Sequence, residues 1–401
     1  MINLEAPKKA GALINQAYQA AAEVFRPISR KYDRAEHTYP SELDMFAALL
    51  DGLNSSGEGG AGAAGVRRSK DEKEKGNRNG ANLNVVLGTI EMCWGDVGLL
   101  LSMPRQGLGN AAIGSVATDE QLERFSGMWA AMAITEPSCG SDSAAITATA
   151  RLDGDHYVLN GEKIFVTSGE RADAVVVWAT LDKSKGRAAI KSFVVEKGTP
   201  GFEVVRVEHK LGIRASDTAV LRFENCRVPA ENLLGTPEIN TATGGFAGVM
   251  QTFDNTRPLV AAMAIGVARA ALEETRRILT EAGVEIDYDR PANSQHAAAA
   301  EFLRLEADYE SAYLLTLESA WMADNRKPNS LQASMAKAKA GRSVVEIALK
   351  CVELTGAYGE ESLLEKWARD AKILDIFEGT QQIQQLIVAR RVLGKSSAEL
   401  K

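Results

Sequence analysis

Cysteine is scarce and dispersed in this 401-residue chain: Cys93, Cys139, Cys226 and Cys351 form no C-x-x-C pair. That spacing signals neither a thiolate metal site nor a disulfide framework, and a reducing cytoplasmic compartment is the natural expectation. The four histidines, His37, His156, His209 and His296, are scattered with no partner at ligand spacing, so all four read as structural and no metal site is expected. An excess of positive charge is also lacking. Forty-six Lys and Arg residues face 53 Asp and Glu, a formal net charge of −7, whereas phosphate binding needs a basic surface; nucleic acid and anionic membranes are poor partners. No run approaches the roughly 18 apolar residues that span a bilayer. Lys8 and Lys9 precede no long apolar core or small-residue cleavage site, so neither export nor anchoring is implied. A dinucleotide fingerprint is missing as well: Gly244-Gly245-Phe246-Ala247-Gly248 follows no strand and has the wrong spacing, which argues against a Rossmann-type nicotinamide site.

What is present is a chain that is 45% hydrophobic and 25% charged, enough to bury a large core in two or three domains. From residue 1 to 127 the pattern is helical, with Ile14, Ala17, Ala21 and Val24 at helix spacing. A Gly- and Ser-rich stretch and a mixed-charge run interrupt it at residues 54 to 82; such composition buries little apolar surface and reads as a loop. Within that insert Arg67, Arg68, Lys70, Lys73, Lys75 and Arg78 outnumber Asp71, Glu72 and Glu74, a balance that suits a solvated loop and could also attract phosphates or a partner protein. Between 128 and 235 the texture changes to Val175-Val176-Val177-Trp178 and Phe193-Val194-Val195, with Gly154-Asp155 and Asn160-Gly161 as hairpin-type turns, a small β domain. From 236 to 401 helical periodicity returns, with Phe302, Leu305, Tyr309, Ala312, Leu317 and Trp321 on one apolar face, as in a bundle.

The chemistry is concentrated in Asp375-Ile376-Phe377-Glu378-Gly379-Thr380-Gln381-Gln382. A carboxylate beside Ile376 and Phe377 would have its pKa raised by desolvation, toward the range in which it can take a proton from carbon near neutral pH. Gly379 permits close backbone approach, and Thr380 can cap the apolar-periodic helix that follows. Read alone, the run fits a dipole-stabilised helix start at least as well as a base.

A second run, Ala133-Ile134-Thr135-Glu136-Pro137-Ser138-Cys139-Gly140-Ser141-Asp142, together with Asn160-Gly161-Glu162-Lys163-Ile164-Phe165-Val166-Thr167-Ser168-Gly169, Gly212-Ile213-Arg214-Ala215-Ser216-Asp217-Thr218, Phe253-Asp254-Asn255-Thr256-Arg257-Pro258 and Lys366-Trp367-Ala368-Arg369-Asp370-Ala371-Lys372, changes that balance. In this order the runs resemble the FAD-dependent acyl-CoA dehydrogenase family over nearly the whole chain. The resemblance implies an α+β multidomain fold: N-terminal helical domain, middle β domain and C-terminal helical bundle. It also implies FAD held without a Rossmann motif, and α,β-dehydrogenation of a saturated acyl-CoA to the trans-2-enoyl-CoA. Removing an α-proton needs a base, and the β-hydrogen needs an electron acceptor that no side chain supplies.

By the same resemblance Glu378 is the base, and its backbone N–H helps polarise the thioester carbonyl. Some members place the base instead at the position of Thr256, which is no carboxylate. Thr135, Gly140, Ser141, Phe165 and Thr167 match flavin-contacting positions, as do Thr380, Gln381 and Gln382 at a helix start. Asp254, Arg257, Phe377 and Gly379 match substrate-binding positions, although Asp254 and Arg257 also fit an i, i+3 charge pair. The implied partners are the acyl-CoA substrate and an electron-transfer flavoprotein in fatty-acid β-oxidation, with the chain in a homo-oligomer, tetramer or dimer. Three stretches depart from the family pattern: Cys139 stands where Gly or Ala is usual, Gly283 to Pro291 lacks an Arg-x-x-Phe-Gly run that contacts FAD across subunits, and Glu353-Leu354-Thr355-Gly356-Ala357 replaces a Gln with paired glycines. The last two departures keep open a half-active subunit of a hetero-oligomer; an acyl-CoA oxidase-like flavoenzyme is a separate alternative.

Overall fold

A computed structural model of the chain describes residues 10–54, 80–104, 108–239, 247–359, 361–396 and 399, with the backbone alone for 49–54, 81 and 247–255. Most of the charged insert, together with Gly244-Gly245, lies outside the described residues. The N-terminal part is helical: α1 (Ala10–Ala20) continues through a π-helical turn into α2 (Arg26–Arg34), followed by α3 (Glu42–Asn54), α4 (Ala81–Gly95), α5 (Val97–Leu101), α6 (Leu108–Val116) and α7 (Asp119–Arg124). Among the described residues no helix is long and apolar enough to cross a membrane.

Seven strands follow: β1 (Ala130–Ala133), β2 (Thr149–Asp153), β3 (His156–Thr167), β4 (Ala174–Thr180), β5 (Ile190–Glu196), β6 (Phe202–Val207) and β7 (Thr218–Pro229). β4 joins parallel β1 to antiparallel β5, and its end meets β2 at Thr149 opposite Thr180; β2, β3, β7 and β6 continue antiparallel. Because strand side chains alternate, β4 serves two cores: Val175, Val177 and Ala179 pack inside the sheet, while Ala174, Val176 and Trp178 pack against Ile113 and Phe125 from α6 and its neighbour. Asn160-Gly161 is not a turn, contrary to the sequence expectation. β3 runs through both residues with an irregular register to β7, and the chain reverses only between Asp153 and His156. A side chain at 161 would begin 2.6 Å from the Ala148 methyl, so the glycine serves close approach rather than reversal.

The C-terminal part comprises α8 (Ala247–Glu281), α9 (Ala297–Asp324), α10 (Ser330–Thr355), α11 (Leu364–Leu374) and α12 (Gln381–Leu393). Phe302, Leu305, Ala312, Leu317 and Trp321 on α9 are buried, and α4 joins the same core through Leu83, Val86, Ile90 and Cys93.

A buried ionic knot joins the three parts. Lys366 on α11 donates to Asp96, 2.7 Å away, and to Asp370, 2.5 Å away; Asp96 also caps α5 through Leu99 N and accepts from Ser29 on α2. Asp370 in turn accepts from Ile213 N at 2.6 Å, and Arg369 forks onto Asp33 of α2 while donating to Leu211 O. Burial alone would depress the Lys366 ammonium, but the two carboxylates outweigh it and raise its pKa. Gly212 makes this docking possible, since a Cβ there would sit 2.5 Å from the Arg369 backbone.

Candidate active site

The chain leaves α11 at Asp375 and reverses through two left-handed residues, Glu378 at φ 57° and Gly379 at φ 96°, before Thr380 caps α12 by accepting from Ile383 N. Glycine takes such angles freely. A glutamate does so at a cost on the order of 1 kcal/mol or more, and strain of that kind persists where the surroundings fix it. The surroundings here are specific. Gln384 on α12 donates to both Glu378 O and Gly379 O, and the buried Lys337 of α10 donates to Gly379 O at 2.8 Å. Phe377 packs against the C-terminal core.

The carboxylate that this turn presents accepts from Thr256 Oγ1 on α8 at 3.0 Å. By surface area Glu378 is only half-buried, yet protein crowding around its carboxyl raises the pKa, against the pull of Thr256, Arg257 and Lys337 toward the ionised form. Lys337 is held near 8 by burial, with Asp375 and Glu378 acting to raise it and Arg257 to lower it. A proton acceptor tuned upward, partly open to solvent and oriented by a hydroxyl can act as a general base.

A second set of residues lies at one end of the sheet. Glu136 follows β1 and is almost fully buried; it accepts from Lys163 Nζ at 2.7 Å, from Thr147 N and Oγ1 at 2.7 Å each and from Ala148 N at 3.0 Å. Burial would raise this carboxyl, but Lys163 and Thr147 hold it below its ordinary range. The pair pins the 134–148 loop to β3, where Ile164 N donates to Thr135 O at 2.9 Å. Beside it Phe165, at φ 57°, is 63% exposed, Thr135 and Thr167 are half-buried, and Gly140 and Ser141 are exposed.

The sequence profiles "Acyl-CoA dehydrogenase, middle domain" and "Acyl-CoA dehydrogenase, C-terminal domain" match residues 131–226 and 243–393. The short-chain specific acyl-CoA dehydrogenase of Clostridium acetobutylicum is 33% identical over 391 residues, covering 95% of this chain and 97% of its own. The acryloyl-CoA reductase (NADH) of Anaerotignum propionicum is also 33% identical, over 94% of this chain and 92% of its own. The solved butyryl-CoA dehydrogenase of Megasphaera elsdenii superposes with a TM-score of 0.81 at 26% identity, covering 98% of this chain and all of that one. The chain belongs to the acyl-CoA dehydrogenase family. It is an FAD-dependent oxidoreductase of the type that acts on the CH–CH bond of acyl-CoA.

The residues present fit FAD. Phe165 is a large aromatic ring left exposed next to the hydroxyl-bearing Thr135 and Thr167, and a Cβ on Gly140 would meet only the Thr135 methyl at 3.5 Å among the described residues, so that surface is open to a flat ligand. At the α12 start, Gln381 donates to Ala338 O while its Oε1 is buried with no donor among the described residues, an acceptor suited to a bound donor. Gln382 is exposed on the same first turn, whose backbone amides suit phosphate.

The structure draws Glu378, Phe377, Gly379, Thr380 and Gln381 together with Thr256, and groups Thr135, Gly140, Ser141, Phe165 and Thr167 at the sheet end. Arg257 is buried, so it does not lie on a solvated face as an exposed charge pair would require; the Asp254 side chain lies outside the described residues. The departing segment 283–291 is tied to its own chain, with Tyr288 donating to Glu306 at 2.5 Å and Asp287 N to Gln295. Sequence reasoning missed Lys337. Its signal was available: it lies on α10 between the buried Ala333, Ala336 and Ala340, a lysine on a core face. Two of the histidines scattered along the sequence, His37 and His209, meet beside Glu36.

Proposed function

We propose that Glu378 removes the α-proton of a saturated acyl-CoA in its α,β-dehydrogenation to the trans-2-enoyl-CoA. The observation that carries this reading is the Glu378 carboxylate itself: its pKa raised by crowding, its Oε2 oriented by Thr256, and its backbone fixed in a left-handed turn. FAD, when bound, would supply the acceptor for the β-hydrogen, which leaves as hydride. Thr135, Gly140, Ser141, Phe165 and Thr167 would hold its ring system, and Thr380, Gln381 and Gln382 its polar end. The Glu378 N–H faces the thioester carbonyl as enolate charge develops, and Phe377, Gly379 and Arg257 line the path of the substrate.

The substrate class is a short acyl thioester, a reading supported by the name of the clostridial relative. Electrons pass on to an electron-transfer flavoprotein, and the working unit is a cytoplasmic homo-oligomer. Anaerobic addition of acyl-CoAs of graded length to the FAD-loaded protein tests the proposal. Bleaching of the flavin by saturated substrates, strongest at short chain length, is expected; a flavin that no saturated acyl-CoA bleaches overturns it.

A further inference from the structure

Three side chains far apart in sequence converge outside the site described above. Glu36 and His37 follow α2, and His209 lies in the segment between β6 and β7. His209 Nδ1 is 3.2 Å from His37 Nε2 and 3.0 Å from Glu36 Oε2, and the remaining side of the triangle, His37 Nε2 to Glu36 Oε2, is 4.0 Å. The nearest point equidistant from the three atoms lies in their plane, about 2.0 Å from each, the length of zinc–imidazole and zinc–carboxylate bonds, and drawing in the 4.0 Å side by roughly half an ångström gives tetrahedral angles.

The surroundings orient this set as outer contacts orient metal ligands. Glu36 Oε1 accepts from Lys210 N at 2.7 Å, leaving Oε2 to face the two rings. His37 adopts φ 68°, a left-handed conformation uncommon for a non-glycine residue, and its ring stands nearly perpendicular to that of His209, with centroids 4.7 Å apart. Arg171 braces the same junction by donating to Thr38 O and Ala215 O. Glu36 and His37 are largely covered and His209 is exposed, so an ion would enter from solvent.

We propose that Glu36, His37 and His209 form a binding site for a divalent transition-metal ion of the zinc type, with its fourth position open to water. Two imidazoles and one carboxylate suit zinc and its neighbours better than magnesium or calcium, which prefer all-oxygen shells. The bound ion clasps the end of α2 to the segment that leads into Gly212 and Ile213, and so reinforces the docking of the N-terminal helices on the β domain.

The test uses the FAD-loaded protein after treatment with a chelator. Calorimetric titration with Zn²⁺ is expected to show one saturable equivalent per chain with a dissociation constant on the order of micromolar, and the thermal midpoint is expected to rise with Zn²⁺. His209 is exposed, so His209→Ala folds; it lowers the Zn²⁺ affinity by about tenfold or more and abolishes the rise in midpoint. Glu36→Gln has the same effect on affinity. Absence of saturable Zn²⁺ binding, or binding that His209→Ala leaves unchanged, overturns the proposal and leaves the cluster as a set of hydrogen bonds.

Discussion

Replacing Lys337 with Met keeps the buried aliphatic stem and removes the ammonium that donates to Gly379 O and supports ionisation of Glu378. A single opposite charge at close range moves a carboxylate by roughly 1–3 pKa units. Thr256 and Arg257 remain in the variant and both act on Glu378 more strongly than Lys337 does, so the lower end of that range, about one unit or about 1.4 kcal/mol, is the upper bound on the further rise. The assay is anaerobic single-turnover flavin reduction followed across pH. Glu378 must be ionised to accept a proton, so the wild-type rate falls on the acid side at a pH above the ordinary carboxylate range. In Lys337→Met that limb moves up by as much as about one unit, so the rate at a fixed pH below it drops by up to about tenfold. Stability moves in the other direction. The wild-type ammonium, depressed to about 8 from 10.5, costs stability below pH 8 and the cost is relieved as pH rises from about 8 toward 10.5; the variant lacks that rise. An acid limb that coincides in the two proteins refutes the coupling between Lys337 and Glu378.

Thr256→Val removes the hydroxyl that donates to Glu378 Oε2, a contribution of roughly 0.5–1.5 kcal/mol, and shifts the same acid limb upward by up to about one unit while FAD content, measured by absorbance, stays the same. Lys366→Met leaves Asp96 and Asp370 buried against each other without a cation and lowers stability by about 3–5 kcal/mol in denaturant titration. The Asp370 carboxyl is already raised by burial and by Asp96, so the deficit of that variant shrinks as pH falls and the carboxyls take up protons. Gly212→Ala forces the 211–213 segment off α11, lowering the thermal midpoint and loosening the cross-link through Ile213 and Asp370.

The helical and β textures were legible because each buries apolar residues at its own period: the unbroken apolar run in β4 and the 3.6-residue stripe on α9 both pack as their spacing indicates. Asn160-Gly161 misled because its residue types are those of a tight turn, and only the Ala148 methyl against Gly161 reveals that the glycine answers a packing demand from another strand. Glu378 stood out because a lone carboxylate among apolar neighbours is chemically conspicuous. What holds it was less visible: Thr256 lies 122 residues earlier, and Lys337, as a lysine on a helix, resembles any solvated one until its neighbours are seen to be core alanines. The His37–His209 meeting spans 172 residues, and no local spacing rule connects positions brought together by the docking of α2 on the β domain.

The central claim is that Glu378 is the base, and the most direct test is the rate of anaerobic flavin reduction by a short saturated acyl-CoA in Glu378→Gln. The amide preserves the shape of the side chain and can still meet Thr256, so FAD is retained and the protein stays yellow. The reduction rate is predicted to fall by about 10²-fold or more, the scale of losing a general base. A Glu378→Gln protein that binds FAD and reduces it at the wild-type rate would contradict the account.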